Sequence, residues 1–191
     1  MRLRAFAILA LMLCVVPGGT ALSDYRPVKL DTVHSRIEFE ASTLLFDVEG
    51  RFKKYTVEVD GDPKKPTEAK VRVVIDVASI DTDNKKRDDH LRSADFFDAT
   101  KYPKITFVSD KITRRGSGLS VTGTLEMHGS KKQVTMAFKV ASGKNGAGVN
   151  AIAYKGALEI DRTAFGIGTD SVAAKISLED QVGVTLLLVT L

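Results

Sequence analysis

Three histidines are the side chains of this chain best suited to catalysis or metal binding. His34, His90 and His128 are far apart in the sequence and form no H-x-H or H-x-x-x-H pair, so their spacing does not predict a zinc site. His90 lies in the densest charged stretch of the chain, close behind Arg87 and Asp88. Such a stretch predicts either a polar cluster at the mouth of a cavity or a solvated helix. Both interpretations stay open at this point.

Other catalytic patterns are missing from the sequence. It contains no G-x-S-x-G elbow, no phosphate-binding loop and no dinucleotide fingerprint. The pair Gly166 and Gly168 lacks a third glycine and reads as a turn. The sequence therefore predicts no catalytic residue, no metal site and no cofactor. An enzyme that acts on a lipid through His34 or His90 is kept as an alternative.

Residues 1–23 have the pattern of a signal peptide. Arg2 and Arg4 precede an apolar run at 5–16, which is too short to span a membrane comfortably as a helix. Residues 21–23 then offer a cleavage site of the small-x-small type. We therefore predict that this segment is cleaved and that the protein is exported to the periplasm.

Residues 24–191 are predicted to form a single domain. Removal of the leader lowers the net charge from +4 to +2, because Arg2 and Arg4 leave with it. That charge is too small and too evenly spread to indicate nucleic-acid binding. Cys14 is the single cysteine and lies in the leader, so the mature domain is expected to be stabilised by its core without disulfides.

Alternation of apolar and polar residues predicts a mostly β structure. Strand-like segments follow one another with glycine- and proline-containing turns between them, which favours a barrel or a sandwich. The segments are residues 33–41, 48–60, 71–76, 104–111, 119–127, 133–140, 151–160, 173–178 and 182–189. Between the third and fourth of them, the charged stretch at about 83–98 predicts a short helix, for which Asp81 and Asp83 are candidate N-caps.

One face of the predicted strands is apolar and is expected to point into the interior of a closed sheet. A packed interior and a hollow one both fit this pattern. Small residues on the later strands, Gly123 and Gly156 among them, leave room near the axis and favour a cavity. The candidate cavity-lining residues are Phe39, Phe52, Ile75, Phe107, Leu125, Met136 and Phe138.

The charged stretch and the residues after it resemble the signature of the YceI family. The stretch reads N-x-x-R-D-x-H-L-x-S-x-D-F-F-D at 84–98 and Y-P-x-I-x-F at 102–107. Shorter matches are D-x-x-H-S-x-I-x-F at 31–39, V-T-G-x-L-x-M-H-G at 121–129 and D-R-x-x-F-G at 161–166. The resemblance extends over about residues 25–191.

This resemblance implies an all-β fold, an eight-stranded antiparallel lipocalin-like barrel with a short helical segment at about 83–98. It implies a long apolar tunnel for an isoprenoid or similar lipid, such as a polyprenol, a polyprenyl phosphate or a quinone. The candidate contacts for the polar head of the ligand, at the mouth, are Arg87, His90, Tyr102 and Arg162. For Arg87, the alternative is an ion pair with Asp88 or Asp89 that holds the helix.

The leading hypothesis is therefore a periplasmic protein that binds or carries a long-chain lipid and performs no catalysis. One alternative is an accessory protein that presents a quinone to a membrane cytochrome b-type partner, and another is the lipid-modifying enzyme described above. The resemblance also implies a homodimer.

Overall fold

The computed structural model describes residues 24–62 and 65–191. The predicted signal peptide at 1–23 lies outside the described residues, so its cleavage stays a prediction. Within the described part of the chain, no helix is both long enough and apolar enough to cross a membrane.

The described residues form one antiparallel sheet that curls on itself. The strands are β1 (Arg26–Pro27), β2 (Arg36–Thr43), β3 (Asp47–Phe52), β4 (Tyr55–Asp60), β5 (Lys70–Asp76), β6 (Ile80–Asp81), β7 (Lys104–Arg115), β8 (Gly118–Met127), β9 (Ser130–Lys144), β10 (Asn150–Asp161) and β11 (Leu178–Thr190). Their order across the sheet is β1-β4-β5-β7-β8-β9-β10-β11-β2-β3-β6. The all-β prediction is confirmed.

The predicted number of eight strands is wrong, because the described residues form eleven. Two of these, β1 and β6, contain only two residues each. The segment predicted as one strand at 48–60 is divided at Lys53, whose backbone N–H donates to the carbonyl of Ser79, a residue outside β3 and β4. An interruption of this kind leaves the period-2 pattern intact on both sides, so alternation alone does not reveal it.

Two short helices interrupt the strands, α1 (Lys85–Arg92) and α2 (Val172–Ser177). The N-cap of α1 is Asn84, whose side chain accepts a hydrogen bond from Arg87 N. The predicted caps Asp81 and Asp83 are therefore wrong, and Asp83 has a left-handed backbone with φ of 56°. α2 replaces the strand predicted at 173–178. Ser171 caps it and Ala174 is buried, as expected for a helical turn that packs one face.

The N-terminal strap, which we define as residues 26–31, joins the two sides of the curled sheet. On one side, Val28 N donates to the carbonyl of Val57 on β4. On the other side, Asp31 N donates to the carbonyl of Val189, and Leu30 forms a β-bridge with Thr190, both on β11. The strap therefore completes a ring of strands around this end of the sheet.

The opposite end of the ring is filled with side chains. We call this filling the plug; it consists of buried apolar residues from α2, from β6 and from the turns and loops near the two helices: Val77, Ile80, Phe96, Phe165, Ile167 and Ala174. Phe97 extends it, since its ring meets the ring of Phe52 edge to face with 6.1 Å between centroids. The fold therefore has a closed end at the plug and an end at the strap where no such filling is present among the described residues.

Candidate ligand-binding cavity

A cavity of 1020 Å³ lies inside the curled sheet, between the plug and the strap. Its lining is mainly aliphatic and aromatic and comes from most of the strands. Its volume is at the upper end of the roughly 300–1,000 Å³ that is typical of small-molecule sites. A space of this size and polarity can take a long apolar chain.

All seven apolar residues predicted to face the interior lie in the lining of this cavity. They are Phe39, Phe52, Ile75, Phe107, Leu125, Met136 and Phe138. Strict alternation along each strand places them there, because successive side chains of a strand point to opposite faces of the sheet. Their contact with a ligand stays a prediction.

The glycines on the inner face have a different role from the one expected. Phe138 is the cross-strand partner of Gly156, and a Cβ atom at Gly156 would lie 2.8 Å from Cε1 of the Phe138 ring. A Cβ atom at Gly123 would likewise lie 2.6 Å from Cζ of Phe107. Each glycine therefore seats a phenyl ring of the neighbouring strand against the sheet. The rings therefore sit close against the wall, which leaves space in the centre.

The cavity opens at the strap. The exposed residues of its lining include Lys29 on the strap, Lys144 and Asn150 at the two ends of the β9–β10 hairpin, and Leu191. This hairpin extends beyond the strands predicted at 133–140 and 151–160, and the opening was not predicted from the sequence. Strand direction could have revealed it, because β9 and β10 keep an inward face up to their shared turn.

Of the aromatic residues in the described lining of the cavity, Tyr154 alone carries a polar group, and it was not among the residues predicted from the sequence. Its ring packs on both clusters of buried side chains, and the residue lines the cavity. Within the described residues, its hydroxyl has no hydrogen-bond partner. Burial raises the pKa of the Tyr154 hydroxyl above its usual value, so the group stays a neutral donor at physiological pH.

The four polar residues predicted at the mouth lie elsewhere. None of Arg87, His90, Tyr102 and Arg162 is part of the cavity lining, and each is bonded to or packed on elements of the closed end. Their placement at the mouth is therefore corrected. A motif rich in charge suggested recognition of a ligand, but here the same donors and acceptors hold turns of the backbone in place.

Arg87 and Asp88 fix the start of α1 to the chain before it. The guanidinium of Arg87 donates to the hydroxyl and to the carbonyl of Thr82, both at 2.8 Å. The buried carboxylate of Asp88 accepts from the backbone N–H of Thr82 at 2.9 Å and from its hydroxyl at 2.6 Å. Both side chains thus converge on Thr82. The predicted ion pair of Arg87 with Asp88 or Asp89 is not among the contacts of the described residues.

Arg162 is buried and binds the loop that carries α2. Its guanidinium donates to the carbonyls of Glu179, Ile167 and Leu178 at 2.9, 2.9 and 3.0 Å. A fourth bond, to the carboxylate of Asp180, is 3.0 Å long. These donors join the loop before α2 to the first residues of β11, which explains why an arginine is needed there without any ligand.

The other two residues predicted at the mouth, Tyr102 and His90, also belong to the closed end. The ring of Tyr102 packs on His128 with 4.7 Å between centroids, and Nδ1 of His128 lies 3.0 Å from the carbonyl of Phe165. His90 does not line the cavity. Its Nε2 lies 3.1 Å from a carboxylate oxygen of Asp95. His90, Tyr102 and His128 therefore belong to the plug and its turns.

The histidines do not come together. His34 is exposed and its Nδ1 lies 3.0 Å from the Asp31 carboxylate, which holds the turn after the strap. This hydrogen bond is the main cause that lowers the pKa of Asp31 below its usual value. Over the part of the chain that the structure describes, no three His, Cys, Asp or Glu side chains are grouped so that they could hold a metal ion.

We expect Arg87→Ala to destabilise the protein and to spare its affinity for a ligand. Two charge-assisted hydrogen bonds to Thr82 are lost, which should cost about 1.5–3 kcal/mol. The melting temperature should fall by roughly 3–12 °C, while affinity for an isoprenoid changes less than about twofold. Differential scanning fluorimetry and isothermal titration calorimetry measure the two effects.

The neighbouring variant Lys86→Ala is the control for Arg87→Ala. Lys86 is exposed on the same helical turn, and among the described residues no ion pair involves it. The Lys86→Ala variant should leave the melting temperature and the affinity for an isoprenoid unchanged. A loss of affinity in Arg87→Ala at constant melting temperature would contradict the structural role and restore the head-group interpretation.

An antiparallel sheet curled around one apolar cavity, closed by a plug at one end, defines a lipocalin-like binding fold. The chain belongs to the YceI family, since the profile described as YceI-like domain matches residues 28–190. The matched region includes residues 28–31 of the strap, every long strand and both helices.

Relatives and solved structures agree with this assignment. A UPF0312 protein of Vibrio parahaemolyticus is 33% identical over 169 residues, which is 86% of this chain and 88% of that protein. Protein YceI of Shigella flexneri is 34% identical over 155 residues, covering 80% of this chain and 81% of the relative. The crystal structure of BcnA from Burkholderia cenocepacia is 34% identical, with a TM-score of 0.75 over 85% of this chain and 100% of that chain.

A more distant structure shares the fold alone. It is a polyisoprenoid binding domain from Saccharophagus degradans, described as implicated in plant cell wall breakdown. It is 17% identical and has a TM-score of 0.63 over 85% of this chain and 95% of that domain. The same curled sheet is thus maintained with few identical residues.

Proposed function

We propose that this protein is a periplasmic binding and carrier protein for a long-chain isoprenoid lipid. The observation that carries the proposal is the apolar cavity of 1020 Å³, closed at the plug and open at the strap. A cavity with one mouth takes up a chain end first and leaves the other end of the molecule at the surface. That arrangement suits a lipid with one apolar tail and one polar head.

The physical chemistry of the lining supports an apolar tail. Removal of each ~100 Å² of apolar tail surface from water contributes on the order of 2.5 kcal/mol before ordering costs. A tail that buries several hundred Å² can therefore offset the loss of its own freedom and that of the complex. The phenyl rings seated against Gly123 and Gly156 line the cavity and offer apolar surface to methyl-branched chains.

The comparisons and the sequence support the proposal in two ways. The Saccharophagus degradans domain with the same fold is named for polyisoprenoid binding. The pattern at 1–23 is that of an export signal, which supports a periplasmic location. A lipid carrier in an aqueous compartment between two membranes would explain why a protein of this kind is exported.

The alternative of a lipid-modifying enzyme rested on His34 and His90, and their positions do not support it. His34 and His90 are both exposed, and neither lines the cavity. We therefore propose a protein that binds its lipid without changing it. A quinone-presenting role beside a membrane cytochrome b-type protein stays a hypothesis of the same binding class, and the homodimer stays a hypothesis as well.

A series of prenols of increasing length tests the proposed function. Affinity measured by calorimetry should rise with each added isoprene unit until the cavity is full, and should then level off. The reason is that each unit buries a similar apolar area inside a space of fixed volume. Affinity that does not depend on tail length, or no binding at all, would overturn the proposal.

A further inference from the structure

Two lysines stand at the mouth of the cavity. Lys29 lies on the strap and Lys144 at the end of β9, and both are exposed members of the cavity lining. Asn150, the cross-strand partner of Lys144, adds a side-chain amide beside it. These polar groups surround the opening of a space whose walls are otherwise mainly apolar.

The register of the sheet places the two lysines on the same rim of the opening, three strand spacings apart. Leu30, next to Lys29, is bridged to Thr190; Thr190 is paired with Ile152, and Ile152 with Ser142. Neighbouring strands lie about 4.8 Å apart, so this row is roughly 15 Å wide along the curved wall. The flexible four-carbon stems of two lysines can bring their ammonium groups to one small group between them.

The charges of these two lysines are not compensated by the protein. Within the described residues, neither Lys29 nor Lys144 forms an ion pair, whereas Arg26 on the same rim is paired with Asp24. Among the described residues of the lining, the one acidic side chain is Glu38, which is paired with Arg36 at 3.0 Å. The mouth therefore carries two positive charges that an anionic group would neutralise.

We propose that the ligand of this cavity carries an anionic phosphate head, held between Lys29 and Lys144, as in a polyprenyl phosphate. This inference rests on the function proposed above and specifies the class of lipid. A neutral head, such as that of a quinone or an alcohol, would leave both ammonium groups without a partner. The tail supplies most of the affinity and the lysines select the head.

The test compares two ligands with the same tail, geranylgeranyl monophosphate and geranylgeraniol, by calorimetry at low and high salt. The protein is expected to bind the phosphate at least about tenfold more tightly than the alcohol at low salt. The preference should shrink at 1 M salt, because exposed charges are screened over about 3 Å there. In the double variant Lys29→Gln, Lys144→Gln, affinity for the phosphate should fall to that for the alcohol, and affinity for the alcohol should stay within about twofold.

The control is the double variant Lys139→Gln, Lys155→Gln. These lysines are cross-strand partners on the exposed outer face of the same two strands, β9 and β10, and they do not line the cavity. This control changes the net charge by the same amount and should keep the preference for the phosphate. Loss of that preference in both double variants would show that total charge, and not the mouth, is responsible, and would overturn the inference.

Three further outcomes separate this inference from the proposed function. Equal affinity for phosphate and alcohol, or a preference that survives Lys29→Gln, Lys144→Gln, would overturn the inference and leave the proposed function in place. Binding of inorganic phosphate alone with comparable affinity would indicate a site for a free anion and would also overturn it. Failure of both prenyl ligands to bind would overturn the proposed function, and this inference with it.

Discussion

Replacement of Phe138 by aspartate is expected to lower the affinity for a long-chain isoprenoid at least about 100-fold. Phe138 lines the cavity with its ring seated on Gly156. In the empty protein a carboxylate there is hydrated through the open mouth, so the sheet should still fold. A bound tail removes that water, and leaving the charge without a partner should cost about 3 kcal/mol or more. Calorimetric titration with a prenol, on protein shown to be folded by circular dichroism, measures the loss.

Ala137→Asp is the matched control for Phe138→Asp. Ala137 is the preceding residue of β9, and it is exposed on the outer face of the sheet. Its carboxylate stays in water with or without a ligand, so the affinity should change less than about twofold. A folded Phe138→Asp protein with unchanged affinity would show that the tail does not enter this cavity.

Replacement of Arg162 by alanine is expected to have the largest effect on stability. Its four hydrogen bonds hold the loop before α2 and the start of β11 together at the closed end, and the residue is only 5% exposed. Its loss leaves three backbone carbonyls without a donor and opens a space beside Phe96. The cost should be about 3 kcal/mol or more, because several hydrogen bonds from one buried charged donor are lost together, and the melting temperature should fall by roughly 6 °C or more.

Arg114→Ala is the control for the arginine change itself. Arg114 is exposed near the β7–β8 turn, and among the described residues it forms no ion pair. Its removal should shift the melting temperature by less than about 2 °C. If the Arg162→Ala variant has the melting temperature of the wild-type protein but a lower affinity for the ligand, then Arg162 contacts the head group. The assignment of the closed end would then be wrong.

The interior of the barrel could be predicted from the sequence because a strand exposes alternate residues to alternate faces. Phe107, Leu125 and Met136 fall on the lining for this reason, although they belong to three different strands. The same reasoning extends to Tyr154, which shares its inward face with Gly156. A two-residue period is a local property, and it survives even where a strand is interrupted.

The identity of the open end could not be predicted in this way. It depends on how the strap reaches β11 and on which hairpins meet there, and both are long-range properties. The charged signature was instead assigned to the mouth because arginine and histidine are common head-group ligands. In the structure, Arg87 and Arg162 use their donors on nearby backbone and hydroxyl groups, which a motif alone does not show.

The segment at 173–178 shows a second limit of local patterns. A short run of apolar and small residues fits a strand and a helix equally well, and its length does not distinguish between them. The segment forms the helix α2. The side chain of Ser171 caps its start, and Ala174 is buried near Phe96 and Gly168. Packing at the plug thus determines this element more than its own composition does.

The most direct test of the central claim is native mass spectrometry of the protein purified, without denaturation, from the organism that makes it. We expect one non-covalently bound isoprenoid lipid per chain, released on unfolding, and absent from the Phe138→Asp variant purified in the same way. Protein that carries no lipid, or that carries the same lipid in the Phe138→Asp variant, would contradict the assignment of the cavity as an isoprenoid-binding site.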